Sequence, residues 1–543
     1  MREYLQKSVA AALRGAGITP ETAITFEKPR EATHGDLTTN IAMVLAKQMR
    51  RNPRELAGEI IANLSLDPSI VRTVEAAGPG FINFTFAEPY LRSQLKQLIL
   101  SGPDFGRSGA GTGKRVQVEF VSANPTGPLT VGHGRGAVFG DTVARLLEWT
   151  GHTVEREYYF NNAGRQMRIL GDSVRIRYLQ LVGEDLPFPE DYYQGEYIRD
   201  IARGLQSAYG DSLRGEGAEG KFKEAAERDI FEDIKKTLKN LGIVFDTFYN
   251  EHSLYTDGKI VEVVETLRAS GLAYEQDGAV WFKTSALGSD KDKVIVKSTG
   301  EPTYRLPDIA YHREKFRRGF DLMIDIFGAD HIATYPDVLA GIRALGLDPS
   351  RVVVLIHQFV TIVQKGEVVK MSTRKANFVT LDELIEEVTP DVVRYFFLMR
   401  TINSHLNFDL ALAKEQSDEN PVYYLQYAHA RISSILRYAG KEGVTGPVEP
   451  DLELLRTPEE MELVRLLLRL PEVVESCAFS YEPHRLAEYL HEVAGTFHAF
   501  YHAHRVVSDD RALTGARLAL AKATQIVIRN GLLILGVNAP DEM

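Results

Sequence analysis

The chain has 543 residues, a mass of 60.7 kDa, a formal charge of −11 with a pI near 5.8, and a single cysteine, Cys477. That length implies several domains, each large enough for its own core, while one cysteine excludes a disulfide framework or a Cys-rich zinc site and fits a reducing cytoplasm. The acidic balance argues against indiscriminate nucleic-acid binding; any RNA footprint has to be a patch such as Arg50-Arg51-Asn52-Pro53-Arg54 or Arg313-x-Lys315-Phe316-Arg317-Arg318, although such clusters are more often solvated faces.

The first residues carry Glu3, Lys7 and Arg14 through an apolar pattern and read as an amphipathic helix rather than a signal peptide. No uncharged run approaches membrane-spanning length, so a soluble protein is expected. Asn40 to Arg50 supplies another helix and Phe81 to Phe86 alternates as a strand, which makes residues 1–108 a small α/β domain. Ser108 to Lys114 is glycine-rich but fails as a P-loop: Ser108 replaces the first glycine, Arg115 replaces the hydroxyl residue, and the segment precedes a strand. It reads as a linker.

Lys114 to Val121 places Val116, Val118 and Phe120 on one side, the pattern of a strand with one face buried. Asn124-Pro125 and Gly127-Pro128 then force an extended connection. After Gly136, Val138, Phe139, Val143, Leu146 and Leu147 recur at helical spacing until Gly151, a C-cap. The glycines therefore lie where a helix begins, and its bare N–H groups and positive dipole end suit a phosphate, with His133 as a further donor. Gly132, Gly134 and Ala137 also satisfy G-x-G-x-x-A, with Glu155 and Glu157 about 20 residues on. A dinucleotide fingerprint, however, needs its glycines in a tight turn directly after the strand, and here a proline-broken loop intervenes.

From Lys114 to about Pro390 strands and helices alternate as in an open parallel sheet, with a peripheral insertion from Asp185 to Glu227. The apolar stretch Arg351 to Val363 reads as a strand. Lys370-Met371-Ser372-Thr373-Arg374-Lys375 follows it, and a capping box at Thr380 and Glu383 opens the next helix. Such a basic loop can close over a polyphosphate and neutralise a leaving pyrophosphate; alone it would be an ordinary solvated loop, but the first phosphate stretch gives it a partner. From about Asn420 the chain reads as all helical, with long helices opening at Asn420-Pro421 and running from Leu518 to Leu535. His484, His491 and His498 recur at spacing seven, with His502 one turn on, yet no cysteine pair stands near and Glu488 with His491 is the only Glu-x-x-His in the stripe. A plain helix face or an RNA-facing patch is the preferred reading, and no metal is assigned.

Two of these stretches resemble signatures of the class I aminoacyl-tRNA synthetases. Thr130-Val131-Gly132-His133 resembles H-x-G-H, and Lys370 to Arg374 resembles K-M-S-K-S. More narrowly, Ser122-x-Asn124-Pro125-Thr126-Gly127-Pro128 and Lys370-Met371-Ser372-Thr373-Arg374-Lys375-x-Asn377-Phe378-Val379 are similar to arginyl-tRNA synthetases, as are Gly35-Asp36-x-x-Thr39-Asn40 and Gly80-Phe81-x-Asn83. The likeness covers nearly the whole chain. It implies an α/β fold: a Rossmann-like parallel-sheet catalytic domain at 109–390 with the insertion at about 185–227, an α/β N-terminal appended domain at 1–108 that contacts the tRNA elbow, a connecting stem at 391–419 and an all-α anticodon-binding bundle at 420–543.

The resemblance further implies activation of L-arginine by ATP, accompanied by Mg2+, and transfer to tRNA(Arg), with adenylation dependent on bound tRNA. A monomer in the cytoplasm is expected, with no membrane contact and no tightly bound metal or organic cofactor. The span between His133 and Lys370 holds no large editing domain, as suits a guanidinium read by paired carboxylates. By motif match the catalytic residues are His133, Lys370, Thr130 and Arg374, and Gly132, Gly134, Met371 and Ser372 join them in binding ATP. Arginine falls to Ser122 and Asn124 at its α-end and to Glu251, Tyr304 and Asp308 at its specificity positions, with Asp330-His331 bordering the pocket. The tRNA falls to Phe81, Asn83, Tyr427, Arg431, Tyr501 and Met543. Tyr304 and Asp308 would share a helix face, although Pro307 favours a helix start or a loop. Thr130 and Thr373 depart from the signatures, and Gly127 stands where some relatives carry a compensating lysine. These departures keep a catalytically silent, RNA-binding paralogue open, whereas the terminal domains speak against a small-molecule nucleotidylyltransferase.

Overall fold

Strand β1 (Arg115–Glu119) sets the architecture of the catalytic domain. Val116 and Val118 are buried as the alternation predicts, but Gln117 and Glu119 on the opposite face are buried as well. The expectation of one buried face is corrected, because β1 is the middle of an all-parallel sheet, and such strands are covered by helices on both sides. With β2 (Thr153–Phe160), β3 (Thr247–Asn250), β4 (Leu322–Gly328) and β5 (Val352–His357) it forms a parallel sheet in the order β5-β4-β1-β2-β3. The chain steps outward from β1 to β3 and returns to β4 beside β1. Strand order therefore reverses between β1 and β4, and a crevice opens at their carboxyl ends. The computed structural model describes residues 1–543 apart from 20–21, 30, 32–33, 330–331, 369–379 and 444–448.

The helix Val131–Trp149 follows β1 and is buried along most of its length. Two of its glycines are required by close approach: a Cβ on Gly140 would lie 2.3 Å from Phe120 Cγ, and one on Gly134 would lie 2.6 Å from Leu381 Cδ1. It ends at the expected place, with Gly151 at φ 89°. The single strand expected over Arg351 to Val363 is instead two. β5 stops at His357, and Val360–Gln364 pairs parallel to Leu406–Asp409 in a separate three-stranded sheet. Arg135, reaching from the 131–149 helix, donates to the carbonyls of Gln358 (2.8 Å) and Thr401 (3.0 Å), which satisfies a backbone acceptor at the break.

The N-terminal domain is a three-stranded antiparallel sheet, with Phe81–Phe86 between Leu37–Thr39 and Val71–Ala77, packed by short helices. Ion pairs join it to the C-terminal bundle: Arg2–Glu472 at 3.0 Å, Lys28–Glu492 at 2.6 Å, Arg465–Asp36 at 2.8 Å and Arg92–Glu453 at 2.9 Å. The bundle comprises Pro421–Lys441, Pro458–Leu467, Leu470–Ser480, His484–Ala503 and Arg511–Leu535. Asn420 and Asp510 cap the first and last of these helices with side-chain oxygens. Among the described residues, Arg511–Leu535 is long and apolar enough to cross a membrane by composition, with a mean hydropathy of 1.4, but 72% of that window is buried inside the fold as a bundle core.

Bundle and catalytic domain meet at Arg394, which is 1% exposed on the helix Pro390–Leu398. Its guanidinium donates to Leu535 O (2.9 Å) at the end of the last helix, to Leu241 O (2.8 Å) and to Asp141 Oδ2 (2.7 Å) on the 131–149 helix. Burial alone would raise the Asp141 carboxyl, but Arg394, Arg145 and Arg156 together hold it below its ordinary value.

Candidate active site

Thr130 and His133 occupy the N-cap and the third position of the 131–149 helix. His133 Nδ1 accepts the Thr130 backbone N–H at 3.1 Å and lies 3.2 Å from Thr130 Oγ1. A ring nitrogen that accepts an N–H holds no proton, so the neutral imidazole carries its proton on Nε2, where it can donate. Threonine is a good N-cap type, and the departure from H-x-G-H is thus accommodated as a cap. Gly132 and Gly134 fill the first turn. Thr380 bridges to Thr130, Leu381 N donates to Leu129 O at 2.8 Å, and the expected Thr380–Glu383 capping box forms. Lys370, Met371, Ser372, Thr373 and Arg374 lie outside the described residues, as do Asp330 and His331.

The backbone leaves β1 through Val121 and Ser122 at φ 68° and 42°, the left-handed region. That geometry costs about 1–3 kcal/mol for a residue with a Cβ. It turns Ser122 Oγ back to donate to Glu119 (2.9 Å) and to accept from Tyr159 N (3.2 Å). Asn124 is pinned next to it, since its Oδ1 accepts from Asn161 N at 3.0 Å and its Nδ2 donates to Gln166 at 3.1 Å.

Glu251, 7% exposed after β3, accepts from Tyr159 OH (2.8 Å), Asn161 Nδ2 (2.9 Å) and Tyr255 OH (3.3 Å). Burial raises its carboxyl above the ordinary value. Asp308 lies in the first turn of the helix Arg305–Arg317. Burial, joined by the charges of Glu119 and Glu251 and opposed by His312 and Lys315, lifts its pKa to about 7. Among the described residues neither Glu251 nor Asp308 belongs to an ion pair. Tyr304 sits at the N-cap of that helix, so Pro307 marks a helix start; the Tyr304 side chain stands at the rim, 85% exposed, beside Tyr255. The structure thus gathers Ser122, Asn124, Glu251 and Asp308 at the carboxyl ends of β1 to β3.

Sequence reasoning missed Tyr159, Asn161 and Tyr255, which orient Glu251, and it missed the buried charges beneath. The cluster 313–318, offered as a basic patch, is consumed internally. Lys315 is fully buried between Glu119 and Asp325 at 2.6 Å each, Arg318 pairs with Glu157, and Arg313 and Arg317 reach Glu262 at 3.3 and 2.8 Å. A signal was present: Asp308, His312 and Lys315 recur at spacings of four and three, a helix face too polar to be a core stripe unless it carries its own counter-ions.

Of the residues expected to meet RNA, Asn83 is 8% exposed within the N-terminal sheet and Phe81 is half-buried at that strand's start. Tyr427 is exposed and stacks on Tyr423 and His498. Arg431 donates to Tyr501 OH at 3.1 Å and lies over its ring, beside an open hollow of about 660 Å³ that also takes in Tyr438, His502 and Arg505. Met543 is exposed. The residues before it are tied to the helix Pro421–Lys441 by His429 to Pro540 O (2.8 Å) and Ser433 Oγ to Asp541 (2.8 Å). Of the histidine stripe, His491 stacks on Tyr424 and His498 packs against the same ring at a tilt.

A doubly wound parallel sheet with a capped glycine helix at its switch point, followed by a helical bundle, is the architecture that the resemblance to class I aminoacyl-tRNA synthetases implies, and a family model shows that class. The family described as tRNA synthetases class I (R), catalytic domain, matches residues 94–395; the arginyl tRNA synthetase N terminal domain matches 3–86 and the DALR anticodon binding domain matches 425–543. The arginine–tRNA ligase of Desulfotalea psychrophila is 55% identical over 533 residues, covering 98% of this chain and 96% of that one, and that of Salinibacter ruber is 49% identical over 562 residues, covering both chains fully. The fold is shared with the Thermus thermophilus arginyl-tRNA synthetase at a TM-score of 0.79, with 22% identity and full coverage of both chains. The chain belongs to the arginyl-tRNA synthetase family.

Proposed function

We propose that the protein attaches L-arginine to tRNA(Arg) at the expense of ATP. The observation that carries this reading is the convergence of Glu251 and Asp308, two carboxyl groups that burial holds above their ordinary values, with Ser122 and Asn124 beside a helix N-terminus. A guanidinium supplies the cation and the planar donors that such a pocket lacks. Tyr159, Asn161 and Tyr255 hold Glu251, while Tyr304 stands where it can cover the side chain at the rim.

The arginine carboxylate, oriented by Ser122 and Asn124, attacks the α-phosphorus of ATP; the bond to the β-phosphate bridging oxygen breaks and pyrophosphate leaves. The terminal ribose hydroxyl of tRNA then attacks the carbonyl of arginyl-adenylate and AMP leaves. Positioning and charge neutralisation dominate such chemistry. His133 Nε2–H and the N–H groups of the glycine turn donate to phosphate oxygens, and Lys370 and Arg374 neutralise the leaving pyrophosphate, with Met371 and Ser372 lining the nucleotide and Mg2+ accompanying it. Phe81, Asn83, Tyr427, Arg431, Tyr501 and Met543 are assigned to the RNA, residues 1–108 to its elbow and 420–543 to its anticodon. We place the enzyme in the cytoplasm as a monomer.

The test is ATP–pyrophosphate exchange with each of the twenty amino acids, with and without tRNA. Exchange with arginine alone, dependent on tRNA, is expected; exchange with another amino acid, or equal rates without tRNA, would overturn the specificity or the tRNA dependence respectively.

A further inference from the structure

Glu119 on β1 and Asp325 on β4 are direct partners in the parallel register, at the point where strand order reverses. Their side chains emerge on one face of the sheet, strands in such a ladder being about 4.8 Å apart. Both are buried, and two facing carboxylates there repel each other strongly. The helix Arg305–Arg317 answers with the Lys315 ammonium and the His312 ring. Lys315 Nζ donates to Glu119 Oε2 and Asp325 Oδ1 at 2.6 Å each. His312 places Nε2 2.8 Å from Asp325 Oδ2 and Nδ1 2.7 Å from the Asp308 carbonyl oxygen, so the ring bridges the two.

The network is continuous with the pocket at both ends. The second oxygen of Glu119 accepts Ser122 Oγ–H at 2.9 Å, while the Asp308 carbonyl held by His312 belongs to the first turn that carries the Asp308 carboxyl. We propose that Lys315 is a positioning residue for arginine activation: its buried ammonium holds Glu119 as the acceptor that orients Ser122 and, through Asp325 and His312, holds the turn that presents Asp308. Besides Glu119, Asp325, His312 and Asp308, the groups that face Lys315 are Tyr311 from its own helix, whose ring lies 4.4 Å from Nζ, and Glu157 from β2, whose carboxylate is already engaged by Arg318 and the Tyr311 hydroxyl.

The inference rests on the arginine pocket proposed above, and the experiment separates the two. Steady-state pyrophosphate exchange with tRNA present is measured from about pH 6 to about pH 9 for the wild type, Lys315→Met and Glu251→Gln. With the ammonium gone, Glu119 and Asp308 both take up protons more readily. The arginine KM of Lys315→Met should rise about tenfold near neutrality, and the pH above which KM levels off should move up by about one unit, while kcat at saturating arginine stays within about threefold. An unchanged KM profile, or a fall in kcat with KM and its profile unmoved, overturns the positioning role. If Glu251→Gln also leaves KM unchanged, it is the pocket reading that fails. Should Lys315→Met not fold, the charge-balanced Lys315→Met/Asp325→Asn takes its place. A shifted profile in that variant supports the proposal, and a wild-type profile shows that Lys315 serves only to neutralise Asp325.

Discussion

Replacing Arg394 by methionine removes a guanidinium from a place where the helices Val131–Trp149 and Pro390–Leu398 and the end of the last bundle helix meet. The change keeps side-chain length but strips the donors from Leu535 O and Leu241 O, which lie at 2.9 and 2.8 Å. Each orphaned carbonyl costs about 1–3 kcal/mol. Asp141 loses its 2.7 Å contact but keeps Arg145 Nε at 2.7 Å and Arg156 Nε at 3.2 Å, so no carboxylate is stranded. The expected loss therefore comes from the two orphaned carbonyls and is about 2–6 kcal/mol. Arg145→Met is the control, because Arg145 is a quarter exposed, and about 1 kcal/mol is expected for it. In a chain of several domains unfolding is not two-state. The readout is accordingly the urea midpoint of each transition together with the rate of proteolysis in the connection around residues 399–420. Arg394→Met should lower the midpoint at which bundle and catalytic domain separate and should speed cleavage there. Equal midpoints for Arg394→Met and Arg145→Met would refute the claim that this junction is a principal hold between the two domains.

Asp308 has a pKa of about 7 in the free protein. A bound guanidinium favours the carboxylate, so arginine binding expels a proton below that value, and KM for arginine should fall by up to about tenfold per unit as pH rises towards 7 and then level off. A KM that rises with pH over that interval would show that Asp308 does not face the guanidinium. Glu251→Gln keeps an acceptor for Tyr159 and Asn161 but removes the charge, and the loss of about 1.5–3 kcal/mol for a charge-assisted contact should raise the arginine KM about 10- to 100-fold with a smaller effect on the ATP KM. Gly134→Ala places a methyl 2.6 Å from Leu381 Cδ1 and should slow pyrophosphate exchange by displacing the helix Leu381–Val388 from the helix Val131–Trp149, with full activity as the contrary result.

What the sequence made legible is what local chemistry dictates. The proline-broken loop after β1, the glycine turn, the Thr380–Glu383 box and the helix opening at Asn420-Pro421 are each specified within a few residues, and each formed where expected. The polar underside of the site was illegible for the same reason. Alternation along β1 marked Gln117 and Glu119 as the open face, and Lys315 read as a member of a basic cluster. Only the return of β4 to lie beside β1 turns that face inward and gives Lys315 two carboxylates. The split of the Arg351 to Val363 run was equally hidden, since its break is stabilised by Arg135 from more than two hundred positions upstream.

The left-handed backbone at Val121 and Ser122 sets stability against activity within a single peptide unit. A β-branched residue at that φ is held in an unfavourable conformation by its surroundings, and glycine would relax it. Val121→Gly should relieve that local strain and at the same time free Ser122 to drift from Glu119 and Tyr159. Selection for thermal robustness alone would then erode the placement of Ser122 Oγ, and a screen that scores only folded yield would discard the turn that holds it against Glu119 and Tyr159.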